Sequence, residues 1–237
     1  MKSLKTFLVI LVLLLFSART FAGNFYSRQS GNWTTLSTWS TSSGGGAATT
    51  LPTSADNIII EGGFTVTVNS TVTCASLQIG SPNTTKGGAG TLTFSGTNTL
   101  TVTNSVIVGG YGNTNRNGTI TFTSTSTLTA GNITMGGTGT TPASGTITMV
   151  NGSALNTGTF TVNTAGGTWT PSTGTVTLKS ASTLPSSIFT TFYNLIVDPG
   201  TGNITSSGAA LTINGDLTIN TGTLIFFQYC RQLYYRR

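Results

Sequence analysis

Acidic residues are almost missing from this chain: four Asp and Glu stand among 237 residues, against ten Lys and Arg, and charged residues make up 6% of the whole. Globular domains carry about one quarter charged side chains. So little Glu and Lys excludes long solvated or coiled helices. Histidine is absent, which removes the commonest general base and a common zinc ligand. The two cysteines, Cys74 and Cys230, permit one disulfide at most and exclude a disulfide-stapled scaffold. Cys74 lies in the alternating stretch Thr71-Val72-Thr73-Cys74 and reads as a core thiol. The longest apolar run, residues 7–16, is too short to span a bilayer, which takes about 20 residues.

Threonine fills much of the remaining space, at 52 positions, with 31 Gly. Val, Ile, Leu and Thr recur throughout, so the chain has the apolar and β-branched content that disordered segments lack. That composition predicts an all-β protein.

Residues 1–22 open with Lys2 and Lys5, pass through the apolar run and reach Thr20-Phe21-Ala22 before Gly23. A positive start, a short apolar stretch and a small-residue cleavage site read as a secretory signal peptide. No Cys follows to take a lipid anchor. The expected location is secreted, extracellular or on the outer cell surface.

The string Gly-Thr-apolar-Thr-apolar begins at Gly90, Gly118, Gly145 and Gly174, at nearly even steps. Leu92, Ile120, Ile147 and Val176 are followed, at one constant offset, by Leu100, Leu128, Leu155 and Leu184. A third apolar stretch follows in the first three copies, at Val106, Ile133 and Phe160; in the fourth, Leu195-Ile196-Val197 arrives late. Within each piece apolar and polar residues alternate, which marks strands with one buried face. A repeat of three short strands cannot bury its own apolar face, so copies must stack. The expected fold is an all-β, right-handed parallel β-helix (β-solenoid) with rungs of about 28 residues and an N-terminal cap. An antiparallel sandwich also spaces strands evenly, but the constant offsets favour the solenoid. The expected divisions are a signal peptide at 1–22, a cap at 23–56, solenoid repeats at 57–224 and an aberrant or truncated tail at 225–237. In that tail Gly, Thr, Asn and Ser vanish, and three of the six Tyr appear.

Ser30-Gly31-Asn32-Trp33, Ser37-Thr38-Trp39-Ser40, the stretch from Leu51-Pro52 to Asp56-Asn57-Ile58, and Cys74-Ala75-Ser76-Leu77-Gln78-Ile79-Gly80 resemble the N-terminal region of large secreted β-strand-repeat proteins of Bacteroidetes. Phe192-Tyr193-Asn194-Leu195-Ile196-Val197 and residues 211–219 are similar to their repeats. The resemblance covers nearly all of 24–224. It implies a surface or secreted β-solenoid of the type IX secretion class, and it supplies an architecture and a location more than a reaction. The sorting domain usual in that class is not found among these residues, which fits the truncated reading of the tail.

After signal removal the acids are Asp56, Glu61, Asp198 and Asp216, and they are scattered. Polysaccharide-cleaving β-helices need clustered carboxylates or bound Ca²⁺. No catalytic residue, metal site or cofactor is therefore assigned. The glycine-rich stretches lack the following helix and Lys of a phosphate cradle. Asp56 reads as a turn residue bonding local amides, and Trp33 and Trp39 as plugs for the end of the core. The loops before the Gly-Thr strands, 81–89, 111–117, 138–144 and 164–173, fall in one phase of the repeat and would line up on one face. They carry Lys86, Tyr111, Asn113, Asn115, Arg116 and Trp169, a mixture of aromatic faces and polar groups that suits sugar rings. The expected role is a structural or adhesive module that binds glycans or another cell surface. The alternative is a fragment of a polysaccharide-active enzyme whose catalytic part is missing. A third reading, ice contact through the Thr-apolar-Thr triplets, competes with the ordinary preference of Thr for the wet side of a strand. Setting aside the signal and the tail leaves Arg28, Lys86, Arg116 and Lys179 against the four acids. The body is neutral, and its charge gives no reason to expect nucleic acid.

Overall fold

The computed structural model of the protein describes residues 22–226, apart from 83, 84, 124 and 209. The signal segment up to residue 21, the tail from residue 227 and Cys230 lie outside the described residues. Among those described, the chain is nearly all β, with one short 3-10 turn, Leu36–Thr38, and no α-helix. Strands join into sheets of eleven, six, three and two members. One pairing, between Asn24–Ser27 and Trp39–Ser40, is antiparallel; the other described pairings are parallel. Parallel neighbours need a long crossover, and the repeat supplies it.

The six-stranded sheet runs through Gly31–Asn32, Phe64–Val68, Gly90–Phe94, Gly118–Thr121, Gly145–Thr148 and Gly167–Thr170. Gly90, Gly118, Gly145 and Gly167 stand in register. The eleven-stranded sheet is built around three long strands, Thr99–Val108, Thr127–Met135 and Ala154–Val162. Their second halves continue the line of Asn57–Ile60 and Ser76–Ile79, and the first half of Ala154–Val162 leads on to Thr175–Leu178, Asn194–Val197 and Leu217–Ile219. Ser182–Leu184, Asn203–Ser206 and Thr223–Ile225 form the three-stranded sheet. The last of these reaches Ile225, just past the change in composition.

Two sequence expectations are corrected. The second and third strand pieces of the middle repeats are not separate: each pair forms one long strand whose buried-and-exposed alternation is interrupted in its middle. At the interruption Asn104 N–H still reaches the Ala75 carbonyl at 2.9 Å, and the pairing of Thr127–Met135 with Thr99–Val108 shifts register between Ala130 and Asn132. The fourth copy is also out of phase. Val176 aligns with Leu155, and the position matching Ile147 is Trp169. The cause is a short turn, in which Gly166 N–H bonds the Asn163 carbonyl at 2.8 Å. Gly167–Thr170 therefore follows Gly145–Thr148 sooner than the earlier copies follow one another.

Alternation places Val66, Leu92, Ile120 and Ile147 in one buried column and Leu100, Leu128, Leu155, Val176 and Leu195 in another. Each such side chain contributes roughly 1.5–3 kcal/mol on burial. Phe94 stacks on Phe122 with centroids 5.1 Å apart, and Phe160 on Phe189 at 3.9 Å. Trp33 and Trp39 are buried in the same core, edge to face at 5.1 Å, with Trp39 Nε1 donating to the Trp33 carbonyl at 2.7 Å.

Candidate functional site

Three of the expected loops do stack. Tyr111 N–H donates to the Ser81 carbonyl at 3.0 Å and Gly112 N–H to the Thr138 carbonyl at 3.1 Å. Thr141 Oγ1 donates to the Gly112 carbonyl at 2.8 Å, and Ser144 N–H reaches Asn117 Oδ1 at 3.1 Å. The approach is close enough that a Cβ on Gly137 would run into the Gly110 carbonyl, so glycine is required there.

Beside the loops lies a shallow cavity of about 160 Å³, bounded by Gln78, Pro82, Ile107, Tyr111, Thr138 and Asn163 among others. That is smaller than the ~300–1,000 Å³ of drug-sized pockets and has the dimensions of a surface subsite. Tyr111 is 46% exposed. Gln78 and Asn163 are held by their own amide groups: Gln78 Nε2 donates to the Gly109 carbonyl at 2.6 Å, and Asn163 Nδ2 to the Gly136 carbonyl at 3.1 Å. The loop reading missed both, because they sit on or next to strands. Gln78, the large outward polar group in Ser76–Ile79 and the register partner of Ile107, carried the available signal.

The other expected residues divide. Asn113 Oδ1 accepts from Asn115 N–H at 2.9 Å, and the Asn113 carbonyl from Arg116 N–H at 3.1 Å, an Asx-type turn that shapes the loop. Asn115 is exposed, and Arg116 is half-buried with Nη1 donating to the Tyr111 carbonyl at 2.9 Å. Lys86 belongs to the neighbouring loop, whose Gly87 faces the Arg116 guanidinium. Its backbone N–H donates to Ser43 Oγ at 2.9 Å and its ammonium lies 5.9 Å from the Phe64 ring centroid. It lines a second cavity, of about 270 Å³, with Arg28 and Gln29.

Trp169 is not on a projecting loop, and this corrects the sequence reading. It lies in the strand Gly167–Thr170, packs among Phe160, Phe189 and Phe192, and donates Nε1–H to the Thr191 carbonyl at 2.8 Å. The indole is thus committed to the core edge and does not line the Tyr111 cavity.

Three of the acids have evident partners. Asp56 accepts from Gly23 N–H, Thr53 N–H and Thr53 Oγ1, each at 2.7 Å. Burial pushes this carboxyl up, but the bonds from Thr53 and Gly23 outweigh it and the net shift is downward. Glu61 is buried and accepts from Ser43 Oγ at 2.5 Å. Asp198 is held low by its hydrogen bond from Lys179, at 2.6 Å, with help from Thr221. Cys74 is buried, and burial, with a smaller push from Asp56, raises its thiol to about 12. Among the described residues no group of three or more His, Cys, Asp or Glu could hold a metal ion, and no helix is long and apolar enough to cross a membrane.

Comparison of the chain with protein-family models, with curated proteins and with solved structures finds no match.

Proposed function

We propose that the protein is an exported, non-catalytic β-solenoid module that binds glycans at the Tyr111 cavity and serves as a stiff spacer or adhesive element on the outside of the cell. The observation that carries the reading is the stacking of loops 81–89, 111–117 and 138–144, which sets an exposed Tyr ring beside a shallow cavity with two anchored amides. Sugar rings bind through an aromatic face on their C–H side and through amides on their hydroxyls. Parallel, in-register pairing of successive copies within one sheet supports a chain that winds as a right-handed parallel β-helix. The signal-like segment 1–22 and the resemblance of 24–224 to Bacteroidetes surface repeat proteins support export. The partners engaged by Asp56, Glu61 and Asp198 support the absence of hydrolytic chemistry.

A glycan array probed with the parent, Tyr111→Ala and Gln78→Ala tests the site. The expected result is one class of glycan retained by the parent and lost by both variants. A parent that retains no glycan, or variants that bind as the parent does, would overturn it.

A further inference from the structure

Over five of the six strands of the six-stranded sheet, from Phe64–Val68 to Gly167–Thr170, the register sorts the outward residues into two ranks; the sixth strand adds Asn32 beside Thr67 in the second. Thr65, Thr91, Thr119, Thr146 and Thr168 form the first; Thr67, Thr93, Thr121, Thr148 and Thr170 form the second. Neighbouring members of a rank are about 4.8 Å apart and the two ranks about 6.6 Å apart, so the array extends for about 19 Å along the stack. All ten positions are Thr. Corresponding ranks on the eleven-stranded sheet are mixed: Thr101, Thr129, Asn156, Thr177 and Ile196 in one, Gln78, Ile107, Thr134 and Thr161 in another. A general preference of Thr for the wet side of strands would act on every sheet alike and does not account for that contrast.

Some hydroxyls of the eleven-stranded sheet are engaged, while Thr101, Thr161 and Thr177 there make no side-chain bond among the described residues. On the eleven-stranded sheet Asn156 Nδ2 bonds Thr129 Oγ1 and Asn194 Nδ2 bonds Thr175 Oγ1, both at 3.3 Å. None of the ten array hydroxyls bonds another group among the described residues. Each array residue therefore carries one methyl and one uncommitted donor and acceptor on a half-exposed or, at Thr168 and Thr170, exposed side chain, with χ1 restricted by β-branching. The ranks hold no charged or aromatic side chain.

We infer that this face binds ice. A single contact between a hydroxyl and water contributes little net free energy. Ten rigid contacts at fixed spacing can act together only on a surface that repeats in the same two directions, and crystalline water is such a surface. The alternating methyls favour ordered water over bulk water at the same positions. A sugar polymer would call for aromatic platforms and amides, which lie at the Tyr111 cavity and not on these ranks.

The test uses the purified full chain after signal removal, scored for thermal hysteresis, for shaping of ice crystals and for incorporation into a growing ice hemisphere. The parent is expected to be positive in all three. Thr119→Tyr with Thr146→Tyr, which breaks the array from the solvent side, should lose all three activities. Thr101→Tyr on the other sheet should keep them, and so should Tyr111→Ala, which separates this inference from the glycan reading. Circular dichroism and melting temperature establish that each variant is folded. A parent without hysteresis that is rejected by the ice overturns the inference. So does a folded Thr119→Tyr, Thr146→Tyr variant as active as the parent, or a parent that adsorbs to crystalline chitin or cellulose but not to ice.

Discussion

Asp56 offers the sharpest test of how the N-terminal segment is fastened to the body. Its carboxylate, 5% exposed, takes three hydrogen bonds of 2.7 Å from Gly23 N–H, Thr53 N–H and Thr53 Oγ1. Hydrogen bonds to a charged group each contribute roughly 1.5–3 kcal/mol, and the cost of leaving a donor unmade adds to that. Thr53 and Gly23 are only partly buried or exposed, so water recovers a share, and Asp56→Ala is expected to cost about 3 kcal/mol. Asp56→Asn keeps one acceptor oxygen and should cost about half as much. Urea unfolding followed by the fluorescence of Trp33 and Trp39, both buried, measures the difference at neutral pH. Because the folded carboxyl lies below its ordinary value, its stabilisation is present above the unfolded value of about 3.9 and lost as pH falls through the folded value. Parent and Asp56→Ala should therefore converge in strong acid. Export as proposed adds an arm: cleavage after Ala22 turns Gly23 N into an ammonium against Asp56 Oδ1, and a chain starting at Gly23 should be more stable than one carrying an extra residue before it. A cost under about 0.5 kcal/mol for Asp56→Ala, within the ordinary range of surface substitutions, or an equal cost at neutral and strongly acid pH, would refute the reasoning.

Two further outcomes follow from the core. Leu128→Ala, in the middle of a fully buried column, should destabilise by about 2–5 kcal/mol in thermal or urea unfolding; a smaller loss would mean that the column is not close-packed. Cys74, with its thiol pushed up to about 12, should resist iodoacetamide at mildly alkaline pH in the folded chain and react on unfolding, with peptide mapping to separate it from Cys230. Its raised folded value also means that stability is whole below the ordinary thiol value and falls as pH rises towards about 12.

The Tyr111 site was half legible. Tyr111, Asn113, Asn115 and Arg116 share one short loop, so spacing alone joins them. Gln78 and Asn163 come to the same cavity from distant points of the chain, one well before Tyr111 and one well after it, and only the stacking of strands puts them there. Sequence spacing assigns Trp169 to a loop because its Gly-Thr-Trp-Thr strand follows a shorter turn than the earlier copies. The next Gly-Thr string, at Gly174, then looks like the fourth member of the series.

The nearly all-β character of the chain was legible in its residues alone. Period-two alternation and Thr and Gly richness dictate strands with one wet face, because alternation is a local property of each strand; the regular repeat favours stacked copies, and the parallel pairing itself appears only in the structure. The sequence also determined the buried roles of Cys74, Trp33 and Trp39, and the neutrality of the body. Which strand stands on which was decided by tertiary structure alone, since register depends on the length and turn geometry of every crossover and a single short turn shifts all later copies by one sheet. That register, and no local feature of the triplets, gathers ten threonines into two unbroken ranks on one sheet and leaves the eleven-stranded sheet mixed.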